Sequence, residues 1–152
     1  CSSTAYHYVE SNNLKEKLRV LDHISIYYLI TGSYAPVCFI TLNDYSGLPI
    51  FFTVLGLSVL GTIFKIFSVD RYNKLSLILY LILGWLIVVD IDTLFSLLDS
   101  EAKNLLIAGG FFYTIGVLFY LLEKIKYNHA IWHVFVLLGS ISHYLLVLLY
   151  VI

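Results

Sequence analysis

Five stretches of about 20 predominantly apolar residues constrain this chain more than any other feature of its sequence. A helix rises about 1.5 Å per residue and the hydrocarbon core of a bilayer is about 30 Å thick, so each stretch can cross a membrane. The composition agrees, because 60% of the 152 residues are hydrophobic, 12% are charged and the mean hydropathy is +0.88. The predicted spans are residues 21–42, 47–69, 75–98, 104–122 and 129–152. The predicted fold is therefore all-α, a polytopic transmembrane helix bundle.

The chain opens on CSSTAYHYVE and contains no methionine. We interpret this opening as the end of an earlier span that the start of the sequence cuts off. The expected content is five full spans and the end of a sixth, within a single transmembrane domain over residues 1–152. The first helix of that domain and part of the second are expected to be missing.

The distribution of basic residues predicts the orientation of the helices, because Lys and Arg accumulate in cytoplasmic loops. Eight of the nine basic residues fall in alternating connections, and thus on one side of the bundle. They are Lys15, Lys17, Arg19, Lys65, Arg71, Lys74, Lys124 and Lys126. That side is predicted to be cytoplasmic, which places the C-terminus outside. The net charge of −1 and the scattering of these residues argue against a nucleic-acid partner.

Four ionisable residues are predicted to converge in the cytoplasmic half of the bundle: His7, Asp22, His129 and His133. Ionisable groups at membrane depth are costly and commonly have a function. His129 and His133 are four residues apart, so their rings project from one face of a helix. Ser3 and His7 have the same spacing on another helix, so His7 could supply a third nitrogen.

Three imidazoles suit a catalytic zinc site, because they leave one position of a tetrahedral ion open for water. Zinc lowers the pKa of such a water toward about 7, which makes hydroxide available for attack on a carbonyl. Asp22 could orient a ligand of the metal or accept a proton from the water. The pattern therefore predicts zinc held by His7, His129 and His133, with Asp22 beside it.

Other interpretations of the histidines stay open. His129 and His133 could lie at the membrane interface with no ligand role. His129 and His143 are fourteen residues apart and could face a haem, although no other helix offers a matching pair. His143 is otherwise expected to be a hydrogen-bonded residue within the bundle, and His23 an interfacial neighbour of Asp22.

Three further residues within the spans have structural explanations. Pro36 is expected to kink its helix, because proline removes a main-chain hydrogen bond. Lys65 is expected to extend its amine to the nearby membrane surface. Cys38 lies within a span, so the two cysteines do not indicate a disulfide framework.

Three motifs, in this order along the chain, match those of a known family. Ser3-x3-His7, then LDHISIYYLITGSYAP with Asp22, then His129-x3-His133 followed by VFVLLGSISHYLLVLLYV resemble the haemolysin III proteins of bacteria, relatives of the adiponectin and progestin receptors. The resemblance covers essentially the whole chain and implies a seven-helix bundle with a zinc site in the inner leaflet. It makes the three histidines zinc ligands, Asp22 the acid/base or water-orienting residue, and Ser3 a supporting hydroxyl. The family's first helix, and the acidic and amide-bearing motif ahead of it, have no counterpart here.

The expected function is zinc-dependent hydrolysis of an amide or ester bond in a membrane lipid, with the acyl chain or a ceramide-like substrate lying between helices. Resemblance supports this, because the related receptors are associated with ceramide hydrolysis. A zinc-stabilised lipid sensor or receptor is the alternative. A pore-forming haemolysin is a weaker one, because FFTVLGLSVLG and LSLILYLILGWLIVV are too apolar to line a water-filled pore. The expected location is the inner membrane of a bacterium.

Overall fold

The computed structural model describes residues 8, 12–67, 73–122 and 124–152. The regular elements in these ranges are helices: α1 (Asn12–Pro36), α2 (Gly47–Phe67), α3 (Asn73–Gly84), α4 (Ile91–Leu97), α5 (Ser100–Leu121) and α6 (Asn128–Leu146). A turn of π-helix follows α1 and another follows α6, and a short 3₁₀-helix lies between α3 and α4. Five helical segments are long and apolar enough to cross a membrane. The predicted all-α, polytopic transmembrane architecture is thus confirmed.

The candidate spans agree with the predicted ones to within two residues except at two starts, residue 14 instead of 21 and residue 100 instead of 104. They are Leu14–Thr41, Gly47–Phe67, Leu75–Leu97, Ser100–Leu121 and Asn128–Val151. Helix α1 begins at Asn12, so the start predicted at residue 21, immediately before Asp22, was wrong. The segment NNLKEKLRV is polar enough to fall outside a hydropathy window, yet Leu, Lys, Glu and Arg are all good helix formers. Asp22 therefore lies well inside a continuous helix.

Helix α1 changes its geometry immediately after Pro36. The chain continues as a turn of π-helix over Val37–Thr41, closed by the Leu42 amide, which donates to the Val37 carbonyl at 2.9 Å. Proline has no N–H to donate, so the regular bonding pattern cannot pass through it. The chain then turns tightly into α2, where a side chain at Gly47 would collide with the Cys38 carbonyl. This turn packs the far end of α1 against the start of α2.

The third span is broken near its middle. Helix α3 ends at Gly84, Trp85 forms a turn, and Leu86–Asp90 form a 3₁₀-helix before α4 begins. The Tyr34 hydroxyl fills the break: it donates to the carbonyls of Leu83 (2.8 Å) and Gly84 (3.1 Å) and accepts the Ile87 amide at 3.0 Å. In an unbroken α-helix the Ile87 amide would bond to the Leu83 carbonyl. The tyrosine hydroxyl has taken the place of that bond.

Helices α1 and α2 pack closely through small and hydroxyl-bearing residues. The Thr31 and Ser58 hydroxyls are 2.8 Å apart in the buried interface. One turn further along α2, a Cβ at Gly61 would lie 2.5 Å from the Tyr27 ring, so glycine makes room for that fully buried ring. Small residues and hydroxyl groups commonly hold membrane helices together in this way.

Helices α5 and α6 form a second close pair, and α6 carries His129 and His133. Three glycines in this pair lie directly against a side chain of the partner helix: Gly109 and Gly116 on α5, and Gly139 on α6. At Gly116 an added Cβ would lie 2.9 Å from Phe135 Cβ. These glycines bring the two backbones close together and thereby fix α6 relative to the bundle.

Candidate functional site

His129 and His133 occupy the first two turns of α6. Tyr127 precedes the helix with φ of 64°, a left-handed conformation that is uncommon for a tyrosine. The Asn128 side chain donates to the Tyr120 carbonyl at 3.3 Å, which connects the start of α6 to the end of α5. The start of the histidine-bearing helix is therefore fixed by its connection to α5. We call this end of the bundle the histidine end.

The two imidazoles face each other with their Nε2 atoms 3.2 Å apart. One neutral tautomer can donate to another at this distance. The same separation suits two ligands of one tetrahedral zinc, because zinc–nitrogen bonds of 2.0–2.1 Å imply nitrogens about 3.3–3.4 Å apart. The i, i+4 spacing brings the two nitrogens together, as predicted. The distance between the two nitrogens is therefore compatible with zinc.

Aromatic side chains surround the histidine pair. The buried Trp132 ring lies 5.3 Å from that of His129 and 4.6 Å from that of His133, measured between centroids. Tyr120 packs against Trp132 at 5.2 Å and approaches His129 at 6.0 Å. These rings limit the freedom of the imidazoles and restrict the access of water to one side of them.

Asp22 is buried and lies at the same level of the bundle as the histidines. It lines one cavity together with His133 and a smaller one together with His129, His23 and Tyr80. The Tyr80 hydroxyl donates to the His23 carbonyl at 2.9 Å, which fixes α1 to α3 beside Asp22. The expected interfacial location of His23 stays a prediction. Asp22 thus faces the space into which the histidine pair opens.

The remaining predicted site residues, Ser3 and His7, lie outside the described residues. Within residues 12–67, 73–122 and 124–152, no group of three His, Cys, Asp or Glu side chains is arranged to hold a metal ion. The described part of the site therefore supplies two imidazole nitrogens. The third zinc ligand and the supporting hydroxyl stay predictions.

Two cavities extend from this site into the membrane-spanning part of the bundle. The histidine-side cavity, of about 330 Å³, runs from Asp22 and His133 to Tyr34 and His143. The far cavity, of about 170 Å³, continues from Tyr34 and His143 to Phe95 and Val147. Their linings are mostly apolar, with Leu, Ile, Val, Phe and Trp side chains predominant. The polar site at the histidine end thus opens into an apolar interior.

His143 lies within the bundle, as expected, and its ring packs against α5. Its ring lies against Gly109, where an added Cβ would collide with it, and its centroid is 5.5 Å from that of Tyr113. The buried Nε2 makes no hydrogen bond with any group in the described part of the chain, although the Leu106 carbonyl is nearby. Because the Nε2 edge is packed against α5, this nitrogen has no room for a haem iron.

Lys65 and Tyr34 have buried positions that their sequence context did not indicate. Lys65 is almost fully buried, so the expectation that its amine extends to the membrane surface was wrong. The packing of Tyr27 on Gly61 places Lys65 about one turn further toward the histidine end, at the level of Asp22. Tyr34 was not singled out at all, yet its hydroxyl fills the break in the third span. Its apolar surroundings in the sequence gave no signal for this contact.

Comparison with known proteins places the chain in a family. Residues 1–144 match the family described as Haemolysin-III related. The chain is 43% identical to Hemolysin-3 of Bacillus cereus over 150 residues, which is 99% of this chain and 68% of that protein. It is 39% identical to a Hemolysin-3 homolog of Bacillus subtilis over 149 residues (98% and 70%), and 28% identical to human Monocyte to macrophage differentiation factor over 155 residues (93% and 61%). No solved structure matches it. The extent of these matches and the confirmed helical architecture make this chain a multi-pass membrane protein of the haemolysin-III related family.

Proposed function

We propose that this protein is a zinc-dependent hydrolase of amide or ester bonds in membrane lipids. The observation that carries the proposal is the opening of Asp22 and His133 into a cavity that runs through the membrane-spanning region. A polar reactive group beside a long apolar cavity suits a substrate with a polar linkage and an acyl chain. Such a substrate is a lipid.

The residues at the histidine end have different roles in the proposed reaction. His129 and His133, together with His7, would hold the metal, and bound zinc would supply an activated water and polarise the scissile carbonyl. Hydrolysis joins the water oxygen to the acyl carbon and breaks the bond from that carbon to nitrogen or oxygen. Asp22 takes one proton from the water and delivers it to the departing amine or alcohol. Trp132 and Tyr120 keep bulk water from one side of the imidazoles.

The cavities fit one extended acyl chain in length. His133 and Val147 are fourteen residues apart on one helical segment, which corresponds to about 21 Å. An extended hydrocarbon with bonds of about 1.5 Å and angles of about 111° advances about 1.25 Å per carbon, so roughly 17 carbons cover this distance. A chain of common membrane length can therefore reach from the site to the far end of the second cavity.

The orientation is part of the proposal. The basic residues favour a cytoplasmic location for the histidine end, which puts the scissile bond in the inner leaflet and the C-terminus outside. The bacterial relatives favour the inner membrane of a bacterial cell. A lipid whose polar linkage lies near the inner surface could then enter with its chain directed toward the membrane centre.

The test is metal content and turnover in matched variants of the full-length protein in nanodiscs. Wild-type protein is expected to bind one zinc and to release fatty acid from a panel of N-acyl and O-acyl lipids. Asp22→Asn should keep zinc but lower turnover about 10²- to 10⁴-fold, the range typical of a general acid or base. His133→Ala should lose zinc and activity together.

Matched controls separate these effects from damage to the fold. Asp44→Asn changes an exposed aspartate at the opposite end, and His143→Gln changes a histidine far from the pair. Both variants should retain zinc, and Asp44→Asn should retain turnover. Zinc binding without product from any lipid in the panel would favour the sensor, and full activity in Asp22→Asn would remove Asp22 from the mechanism.

A further inference from the structure

The two cavities meet at a boundary formed by four helical segments. We call it the neck, and the residues that line both cavities define it: Ser33, Tyr34, Gly84, Trp85, Gly110 and His143. Two of the six, Gly84 and Gly110, are glycines. An extended chain that continues from the histidine-side cavity into the far cavity must pass these residues.

The larger side chains of the neck are held in place. Tyr34 is fixed by its bonds to the broken span, and the Trp85 indole nitrogen donates to the Thr114 hydroxyl at 3.1 Å. His143 is packed between Gly109 and Tyr113. Since these contacts connect α1, the third span, α5 and α6, the width of the neck is set by the fold rather than by freely rotating side chains.

We propose that the neck determines which acyl chain lengths the protein accepts, an inference that rests on the lipid substrate proposed above. His143 is ten residues from His133 on α6, which is about 15 Å along the helix. At about 1.25 Å per carbon, roughly twelve carbons fill that distance. A chain of eight carbons ends within the histidine-side cavity, whereas a chain of eighteen must cross the neck.

Gly84 is the position at which this selection can be changed most directly. An added Cβ there would meet no described atom within 4 Å, so a larger side chain finds open space. Gly84 lines both cavities and is exposed, so a larger side chain there finds room at the edge of the neck. Gly84→Leu should therefore fill the neck without displacing the helices around it. Ser33→Leu fills it from α1 and provides an independent second variant.

Gly56 supplies the matched control. It is exposed on α2, outside the linings of both cavities, and an added Cβ there also meets no described atom within 4 Å. Gly56→Leu thus makes the same chemical change in a helix of the same bundle. Any general effect of leucine on expression, detergent binding or helix stability should appear in this control as well.

The experiment measures binding of two single-chain lipid amides, N-octanoyl- and N-octadecanoyl-ethanolamine, to the full-length protein in detergent. Bound probe is extracted and quantified intact by mass spectrometry, so that binding is measured separately from hydrolysis. Gly84→Leu and Ser33→Leu are expected to weaken binding of the eighteen-carbon probe at least about tenfold, a shift well outside measurement error in a dissociation constant. Binding of the eight-carbon probe, and of both probes to Gly56→Leu, should match wild type.

The other results distinguish failure of the neck from failure of the proposed catalysis. Equal loss of both probes in the two neck variants, or no loss of either, overturns the role of the neck. Binding with the expected length dependence but no hydrolysis in any condition refutes the proposed catalysis and leaves the neck supported. A wild-type protein that binds neither probe overturns both proposals.

Discussion

The Tyr34 hydroxyl is the contact whose removal should reveal most about the fold. Tyr34→Phe deletes one oxygen and keeps the ring, so the buried volume hardly changes. The deletion leaves the Ile87 amide without its acceptor, and it leaves the Leu83 and Gly84 carbonyls without the one hydroxyl proton that they share, so it removes the equivalent of two hydrogen bonds. Each buried polar group that loses its partner costs about 1–3 kcal/mol in water-soluble proteins. Hydrogen bonds between membrane helices are worth less, about 0.6 kcal/mol on average and at most about 1.7.

Loss of two hydrogen bonds at the average membrane value would lower the free energy of unfolding by about 1.2 kcal/mol, and loss of two at the largest value would lower it by about 3.4 kcal/mol. Closure of the freed amide onto the Leu83 carbonyl would recover part of this loss, because those two groups are natural α-helical partners. The expected destabilisation of Tyr34→Phe is therefore about 1–2 kcal/mol. It should be measured as the change in free energy of unfolding during titration with a denaturing detergent.

Tyr28→Phe is the matched control, because Tyr28 lies on the same helix with nearly half of its surface exposed. An exposed substitution of this kind should change the unfolding free energy by less than about 0.5 kcal/mol. Equal stability of the two variants would refute the argument that the hydroxyl holds the broken span. A loss above about 4 kcal/mol would also be inconsistent with it, because two hydrogen bonds cannot supply that much in a membrane.

Two further predictions concern packing and orientation. Gly116→Ala should lower stability by about 1–3 kcal/mol through overpacking against Phe135, and it should weaken zinc binding. The exposed control Gly56→Ala should be neutral or stabilising. Thermal unfolding in detergent measures stability, and metal titration measures zinc binding. The orientation can be tested with single cysteines in a background with Cys1→Ser and Cys38→Ala. A cysteine at position 124 should react with an impermeant thiol reagent only after cells are opened, whereas one at position 43 should react in intact cells. Reversal of this pattern would contradict the proposed orientation.

Hydropathy was sufficient to predict the spans, because transfer into lipid depends on local composition and length. The predicted and observed spans agree to within two residues at their five ends and at three of their five starts, and to within four residues at the start of the fourth span. The exception is the start of α1, where charged residues continue a helix beyond the apolar stretch. Hydropathy identifies the part of a helix that lies in lipid, and helix formers such as Leu, Lys and Glu can extend it further.

The break in the third span could not be predicted in the same way. The sequence LILGWLIVV is apolar throughout, and a single glycine within a membrane helix does not by itself indicate a break. The group that fills the break, the Tyr34 hydroxyl, is 49 residues before the Leu83 carbonyl that it contacts. Lys65 illustrates the same limit, because its burial follows from the packing of α1 on α2 and has no local signal.

The histidine pair was predictable because its geometry is local. An i, i+4 spacing on a helix brings two rings together whatever the rest of the fold does, and the 3.2 Å between the Nε2 atoms agrees with it. The relation of Asp22 to this pair depends on three helices and followed from the alternation of basic residues, which is a weaker inference. The structure places Asp22 on the same cavities as the two histidines, while the roles of all three in catalysis stay proposals.

The broken span also connects the fold with the proposed chemistry. A continuous third helix would present its side chains on a regular spiral, and bulky residues would project toward α1 and α5 at every turn. The break instead puts Gly84 and a laterally anchored Trp85 at the meeting point of the two cavities. An irregular backbone within a membrane protein is tolerated where it is buried in protein or lines a cavity and its polar groups find partners. Tyr34 supplies those partners, so the residue that stabilises the break also forms part of the neck, and its substitution should alter stability and chain-length preference together.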